Sequence, residues 1–167
     1  MTPRILRLAR RGAAMSNPRL PVLLYEGALP PEEAREPEAR LARNGWPARW
    51  RGGVFGFDHH HPTAHEVLAV SGGAARLRLG GPEGETVAVS AGDALALPAG
   101  TGHRLLEADP GFEVVGAYPP GQAWDIRREA PDAAALARIA AVPLPASDPV
   151  AGAGGPLPRL WGAPADG

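Results

Sequence analysis

The sequence predicts an all-β fold, a sandwich or barrel built from short strands. The chain of 167 residues contains 22 Gly and 20 Pro, and such a content favours frequent turns over long helices. Short apolar stretches recur about every ten residues between residues 46 and 118, with Gly, Pro and Asp turns between them. A length of 167 residues suits one domain with a sizeable core.

Three elements precede this strand region. Residues 1–19 hold five arginines and no acid, which indicates a disordered basic extension. The apolar run "LPVLLYEG" at 20–27 predicts a short edge strand. Residues 29–46 predict a helix, because acids crowd its first half, arginines occupy its last turn and an Asn-Gly pair can end it. Pro37 is the point at which this helix would break or restart.

The strand region shows the period-two alternation of a half-buried strand. Ala75, Leu77 and Leu79 fall on one face, whereas Arg76 and Arg78 fall on the other. We therefore expect the two arginines on a solvated face. After them, "GGPEGE" predicts a hairpin turn, two short strands follow it, and "FEVVGAYPPG" predicts a further strand.

The C-terminal part returns to helix and loop. Residues 131–142 predict an amphipathic helix. The Pro- and Gly-rich tail after it is expected to dock through Leu157, Leu160 and Trp161. The predicted organisation has three parts, namely the extension at 1–19, the barrel with its preceding helix at 20–126, and the C-terminal helix and docking tail at 127–167.

Composition excludes several classes of function. The chain has no Cys, and all 17 basic residues are Arg, so disulfides, thiolate metal sites, Schiff-base lysines and P-loop lysines are absent. After the basic extension the sequence is acidic, which argues against a nucleic-acid partner. No apolar stretch approaches the roughly 20 residues that cross a bilayer, so we expect no membrane partner and a cytoplasmic location.

Four of the five histidines lie within "HHHPTAH" at 59–65. On a strand, His59 and His61 would point to the same face and His60 to the opposite one. Two imidazoles on one strand face are a common metal-binding arrangement. His65 and Glu66 alternate in the same way, so at most one of them is expected to meet the His59/His61 pair.

The spacing around this cluster resembles the two motifs of the cupin superfamily. The first motif is a Gly, five residues, His-x-His, three or four residues, a Glu, six residues and a Gly. It matches Gly53, His59, His61, Glu66 and Gly73, with four residues before the Glu. The second is a Gly, five residues, Pro-x-Gly, two residues, a His, three residues and an Asn, and it matches Gly92, Pro98, Gly100 and His103. Glu107 stands where the motif has its Asn.

The flanking segments "NGWPARWRGGVF", "HHHPTAHEVLAV" and "GDALALPAGTGH" resemble the YjlB-like group of small bacterial cupins, over roughly residues 20 to 161. The resemblance implies a jelly-roll barrel with short N-terminal and C-terminal helices. It also implies a metal near one mouth of the barrel, with His59, His61, Glu66 and His103 as ligands. Three imidazoles and one carboxylate suit a divalent Fe, Mn, Ni, Co, Zn or Cu ion, and ligand type does not choose among these metals.

Other polar residues are expected near this site. His65, Glu107, Arg51 and Tyr118 are candidates to contact the ligands or line the pocket, while His60 is expected to face away. An Arg beside the tryptophans that precede the first motif could hold a substrate carboxylate. The alternative, surface arginines with core tryptophans, stays open.

Two classes of function are compatible with these observations. The first is a metal-dependent enzyme of the dioxygenase type that acts on a small organic molecule, with an isomerase or lyase as its variant. The second is a non-catalytic small-molecule or metal-binding module, such as a sensor. In either case a homodimer is expected from the general frequency of two-fold dimers.

Overall fold

The computed structural model of the protein describes residues 1–162, which form nine strands and four short helices. The strands are β1 Arg4–Leu6, β2 Val22–Tyr25, β3 Ala48–Gly52, β4 Glu66–Gly72, β5 Ala74–Leu79, β6 Glu85–Ser90, β7 Ala94–Leu97, β8 His103–Ala108 and β9 Glu113–Ala117. The helices are α1 Pro31–Arg35, α2 Glu38–Arg43, α3 Ala133–Ala141 and α4 Leu157–Gly162.

The strands form two antiparallel sheets. The larger has six strands in the order β1-β2-β7-β4-β9-β3, and the smaller has three in the order β6-β5-β8. Their inner faces pack together through a cluster that includes Leu24, Leu68 and Leu95 from the larger sheet and Leu77 and Val87 from the smaller. The all-β prediction is confirmed.

The smaller sheet has one buried face, whereas the larger has two. In β5, Ala75, Leu77 and Leu79 are buried and Arg76 is exposed, so the predicted alternation is confirmed there. In β2 and β7 every residue is buried. The reason is that the outer face of the larger sheet packs against a second cluster, which includes residues of α1, α2 and α4.

The N-terminal arm differs from the disordered extension that its composition suggested. Strand β1 pairs with β2, with Arg4 opposite Leu24. Further along, Met15 is buried and its carbonyl accepts from the amide of Gly102. The arginine side chains of the arm stay at the surface, and Arg4 lies 3.6 Å from Glu26. Because β1 covers it, β2 is not the edge strand that we predicted.

The helices form close to where the sequence placed them. The segment predicted as one helix over 29–46 is two, because α1 ends at Arg35 and α2 begins after Pro37. Proline cannot donate the backbone hydrogen bond that would continue α1. Helix α3 begins after Asp132, whose carboxylate accepts from the amide of Ala135 at 2.8 Å.

A buried carboxylate fastens the C-terminal tail to the barrel. Asp148 is fully buried and accepts hydrogen bonds from the Tyr25 hydroxyl and from the amides of Val150, Ala151 and Leu157. These bonds set α4 against the outer face of the larger sheet. Leu157 and Trp161 are buried there, as predicted for the docking tail.

None of the helices within residues 1–162 has the length and apolar character needed to cross a membrane.

Candidate metal centre

Strand pairing brings the two halves of the histidine motif together. His59 and His103 form an isolated antiparallel bridge, in which the amide of His103 donates to the carbonyl of His59 at 2.9 Å. His103 begins β8 and Glu66 begins β4. The first residue of β4, the first residue of β8 and the connection that precedes β4 therefore meet at one end of the barrel.

Three of the four predicted ligands, the histidines, form one cluster, and the fourth, Glu66, lies beside two of them. One ring nitrogen from each of His59, His61 and His103 lies within 4.8 Å of the others, and all three residues are buried. The Oε1 atom of Glu66 lies 3.5 Å from Nε2 of His61 and 3.3 Å from Nε2 of His103. Since metal–ligand bonds to N and O are about 2.1 Å long, one ion can reach both members of each pair.

Backbone carbonyls orient all three imidazoles in the same way. The Nδ1–H groups of the three rings donate at 3.0 Å to the carbonyls of Phe57 for His59, Asp125 for His61 and Thr101 for His103. A ring that donates through Nδ1 keeps a lone pair on Nε2, which is the atom that can bind a metal. The rings are therefore held in the tautomer that a metal site requires.

One carboxylate oxygen of Glu66 accepts a hydrogen bond, and the other has no hydrogen-bond partner among residues 1–162. The hydroxyl of Tyr118 donates to Oε2 at 2.5 Å, and the indole N–H of Trp50 donates to the Tyr118 hydroxyl at 2.8 Å. Within residues 1–162, Oε1 of Glu66 has no hydrogen-bond partner although it is buried. A buried carboxylate oxygen without a donor is costly, and a cation at this point would remove the cost.

The electrostatics of the cluster act differently on its members: burial opposes charge on His61, but the Glu66 carboxylate outweighs it and raises the pKa of His61. Burial, and next the neighbouring His103, lowers the pKa of His59 to about 3, so its ring is neutral. Burial opposes the charge of Glu66, but His61 and His103 outweigh it and hold the pKa of Glu66 below its usual range. Burial and the Glu66 charge raise the pKa of Tyr118, which keeps its hydroxyl a donor.

The cluster forms the polar end of a cavity of about 270 Å³. Its lining comprises Trp50, Gly53, Val54, Phe55, His59, His61, Glu66, Leu68, His103, Tyr118, Trp124 and Ile126. Apart from the four candidate ligands, the Tyr118 hydroxyl that bonds to Glu66 and the indole N–H groups of Trp50 and Trp124, the side chains of this lining are apolar. A bound ion would therefore face a largely apolar chamber.

Comparison with known proteins identifies the family. The family model of the Cupin domain matches residues 50–111. An uncharacterised protein of Bacillus subtilis (strain 168), YjlB, is 36% identical over 152 residues, which cover 90% of this chain and 91% of YjlB. The chain belongs to the YjlB-like group of cupins. The two packed antiparallel sheets are accordingly a cupin barrel.

Two solved structures are similar to this cupin at low sequence identity. A DUF861 family protein from Thermotoga maritima is 22% identical, with 57% of this chain and 96% of that chain covered, at a TM-score of 0.36. Procruciferin, an 11S globulin from Brassica napus, is 20% identical, with 70% of this chain and 29% of that chain covered, at a TM-score of 0.41.

The two remaining histidines of the run have structural contacts. His60 faces away from the cluster, as predicted, and its Nε2 lies 2.9 Å from the carbonyl of Glu129. His65 is fully buried against Trp161, and its Nδ1 accepts from the amide of Ala99 at 2.9 Å. His65 thus ties the first motif to the turn that precedes His103, and it does not face the cavity.

Besides His65, two further residues expected at the ligands or the pocket lie elsewhere in this cupin, which corrects the prediction for all three. Arg51 extends away from the cavity and donates to Glu38, Glu113 and the carbonyl of Arg35. Glu107 is exposed on the smaller sheet, 3.0 Å from Arg76. Arg51 alternates with the cavity-lining Trp50 on β3. Glu107 would share the inner face of His103 if β8 were regular, but a register shift between Leu105 and Glu107 places it opposite Arg76 on the outer face.

Arg78 also departs from its expected place on a solvated face. Its guanidinium lies 2.8 Å from a carboxylate oxygen of Asp58, and the side chains are 22% and 13% exposed. Asp58 immediately precedes His59, so this ion pair fixes the start of the histidine run to the smaller sheet.

Several residues of the site gave no signal in the sequence. The carbonyls of Phe57, Thr101 and Asp125 are invisible to sequence reasoning, because every residue has one. Trp124 stacks on Tyr118 with ring centroids 4.7 Å apart and closes the cavity from the segment before α3. For Trp124 and Tyr118, the aromatic side chains were the only sequence feature that indicated a pocket. Nothing in the sequence indicated in which direction they point.

Proposed function

We propose that this cupin binds one divalent transition metal per chain through His59, His61, Glu66 and His103. The observation that supports the proposal is the convergence of three oriented imidazoles on the unpaired, buried Oε1 of Glu66. The donor set of nitrogen and oxygen fits Fe, Mn, Ni, Co, Zn or Cu.

We further propose that the protein is a metal-dependent enzyme of the dioxygenase type, acting on a small organic molecule in the cavity. The bound metal would supply coordination positions and electron transfer for oxygen and substrate. Both oxygen atoms would enter the product and the substrate would supply the electrons, so no further reductant is needed.

The lining of the cavity favours oxidation over an isomerase or lyase reaction. Those reactions depend on a general base or acid within reach of the substrate. Among the residues that line the cavity, the titratable groups are the four candidate ligands and Tyr118. The Tyr118 hydroxyl is engaged by Glu66 and Trp50. Apart from the four proposed metal ligands, the side chains that line the cavity thus offer substrate binding and orientation but no unengaged proton acceptor.

Metal analysis followed by oxygen consumption tests this proposal. Protein purified without added metal, and then loaded separately with Fe(II) and Mn(II), would be screened in an oxygen electrode against a panel of small organic molecules. We expect oxygen uptake in molar proportion to the substrate consumed. Turnover without oxygen uptake would indicate an isomerase or lyase, and tight ligand binding without turnover a binding module.

Two further expectations remain proposals. A homodimer is supported by the general frequency of two-fold dimers, and sedimentation equilibrium would test it. A cytoplasmic location is supported by the sequence pattern alone.

A further inference from the structure

We propose that the ligand of this cavity is a compact, largely apolar molecule that carries one metal-binding group at one end. This inference rests on the proposed metal centre and adds the chemical class of its substrate. It predicts selection against sugars, polyols and molecules with a second charged group.

The polar atoms of the cavity are almost all engaged. The Nδ1 atoms of His59, His61 and His103 donate to backbone carbonyls. The hydroxyl of Tyr118 bonds to Glu66 and accepts from Trp50. Among the lining residues, the side-chain atoms left to bind a ligand are the ring nitrogens and the carboxylate oxygen at the candidate metal position, together with the indole N–H of Trp124 at the mouth. A ligand therefore meets a cluster of polar partners only at the metal position, with a single neutral donor at the opposite end.

The opposite end of the cavity is apolar and partly exposed. Val54, Leu68 and the ring of Trp124 form its walls together with Phe55 and Ile126. Phe55, Trp124 and Ile126 are 49%, 40% and 44% exposed. Large apolar side chains grouped at a cavity mouth are typical of a binding site. An apolar body seated here would cover them, at a gain of roughly 25 cal/mol for each Å² removed from water.

Within residues 1–162, no arginine side chain lines the cavity, so a second charged group would find no cation there. Arg49 lies with its guanidinium carbon 5.7 Å from the centre of the Trp124 ring, and Arg128 lies 3.8 Å from that of Phe57. Arg51 is bound to Glu38 and Glu113. None of the three arginines lines the cavity. Of the two alternatives that the sequence left open, this favours surface arginines over arginines that hold a substrate carboxylate, because none of those beside the tryptophans lines the cavity.

The volume sets the size of the ligand. A cavity of 150 Å³ is large enough for benzene, and this one has about 270 Å³. A single aromatic ring with a short polar arm, or an aliphatic molecule of similar bulk, fits such a space.

Three probes that share one carboxylate test the inference on zinc-loaded protein. Phenylacetate has an apolar body, succinate a second charge and gluconate a polyol chain. By isothermal titration calorimetry we expect phenylacetate to bind at least tenfold more tightly than the other two. Equal or tighter binding of succinate or gluconate would overturn the inference.

A second pair of probes separates this inference from the metal proposal. Indole and glucose are neutral, so their binding to metal-free protein reports on the apolar body alone. Indole is expected to bind at least tenfold more tightly than glucose even if zinc does not bind. If zinc fails to bind while indole does, the metal proposal fails and the ligand class stands. If indole binds no better than glucose, the ligand class fails.

A matched pair of variants locates the binding. Trp124→Ala removes a cavity wall and is expected to weaken phenylacetate and indole at least fivefold while zinc content stays unchanged. Leu144→Ala removes an apolar side chain of equal exposure, 41% against 40%, that does not line the cavity. It should leave both affinities unchanged, and a loss equal to that of Trp124→Ala would show that the effect does not come from the cavity.

Discussion

Tyr118 binds Glu66 through one carboxylate oxygen, Oε2, and leaves Oε1 directed at the imidazoles of His61 and His103. The bond crosses from β4 to the residue that follows β9, which is its neighbour in the larger sheet. It fixes which oxygen of Glu66 is available, and Trp50 in turn fixes Tyr118. The proposed metal site thus has an outer support built from neighbouring strands.

Replacing Tyr118 by Phe tests this support. The substitution keeps the ring and its stacking on Trp124 but removes the hydroxyl, so Glu66 gains freedom to rotate. We expect metal affinity to fall about tenfold or more, in line with losses at other orienting partners of metal ligands. Metal affinity measured by competition with a chelator checks this.

Tyr25→Phe is the matched control for that experiment. Tyr25 is also a buried tyrosine that donates to a carboxylate at 2.5 Å, but its partner is Asp148 and it lies outside the metal cavity. This variant should lose stability and keep its metal affinity. If both variants weaken metal binding equally, Tyr118 has no specific role in orienting Glu66.

The fold and the candidate ligands were predictable because local patterns encode them. Alternation in Ala75–Leu79 defines a half-buried strand, and turn residues punctuate the chain at strand-length intervals. The resemblance of the motif spacings to those of the cupins implies His59, His61, Glu66 and His103 as candidate ligands. Such signals survive in a single sequence because they depend on neighbours a few residues apart.

The hydrogen bonds that orient the candidate ligands could not be predicted, because their partners are distant in the sequence. Glu66 and Tyr118 are separated by 52 positions, and His61 and Asp125 by 64. The position of β2 shows the same limit. Its apolar run fits an edge or an interior strand equally well, and only its pairing with β1 decides between them.

Burial of His65 predicts a pH dependence of stability. Burial lowers the pKa of His65 from 6.5 to about 4. Between these values the unfolded chain binds more protons than the folded chain, so the free energy of unfolding decreases as pH falls from 6.5 to 4. At pH 4 this residue lowers the free energy of unfolding by about 3 kcal/mol relative to its value well above pH 6.5.

His65→Asn isolates that contribution. The amide oxygen of Asn can still accept from the amide of Ala99, but the side chain does not titrate. Urea unfolding of metal-free protein between pH 4 and pH 7 is expected to show a weaker pH dependence for the variant than for the wild type. Identical pH dependence would show that His65 is not the titrating group.

Asp148 is expected to be a stability residue without a direct role at the metal. Replacing it by Ala leaves four donors, three of them buried, without their acceptor, and we expect a loss of roughly 3–5 kcal/mol in the free energy of unfolding. Asp109→Ala makes the same chemical change at an exposed position and should cost less than about 0.5 kcal/mol. Denaturant unfolding of both variants checks this, and equal losses would contradict it.

Metal content per chain tests the central claim most directly. The proteins to compare are the wild type and the variants His61→Ala, His103→Ala and His60→Ala. Each would be loaded with the same metal and desalted, and its metal content would be measured by inductively coupled plasma mass spectrometry. The claim predicts about one ion per chain for the wild type and for His60→Ala. His61→Ala and His103→Ala should lose most of the metal while remaining folded by circular dichroism. A wild-type protein that binds no metal, or unchanged content in these two variants, would contradict the account.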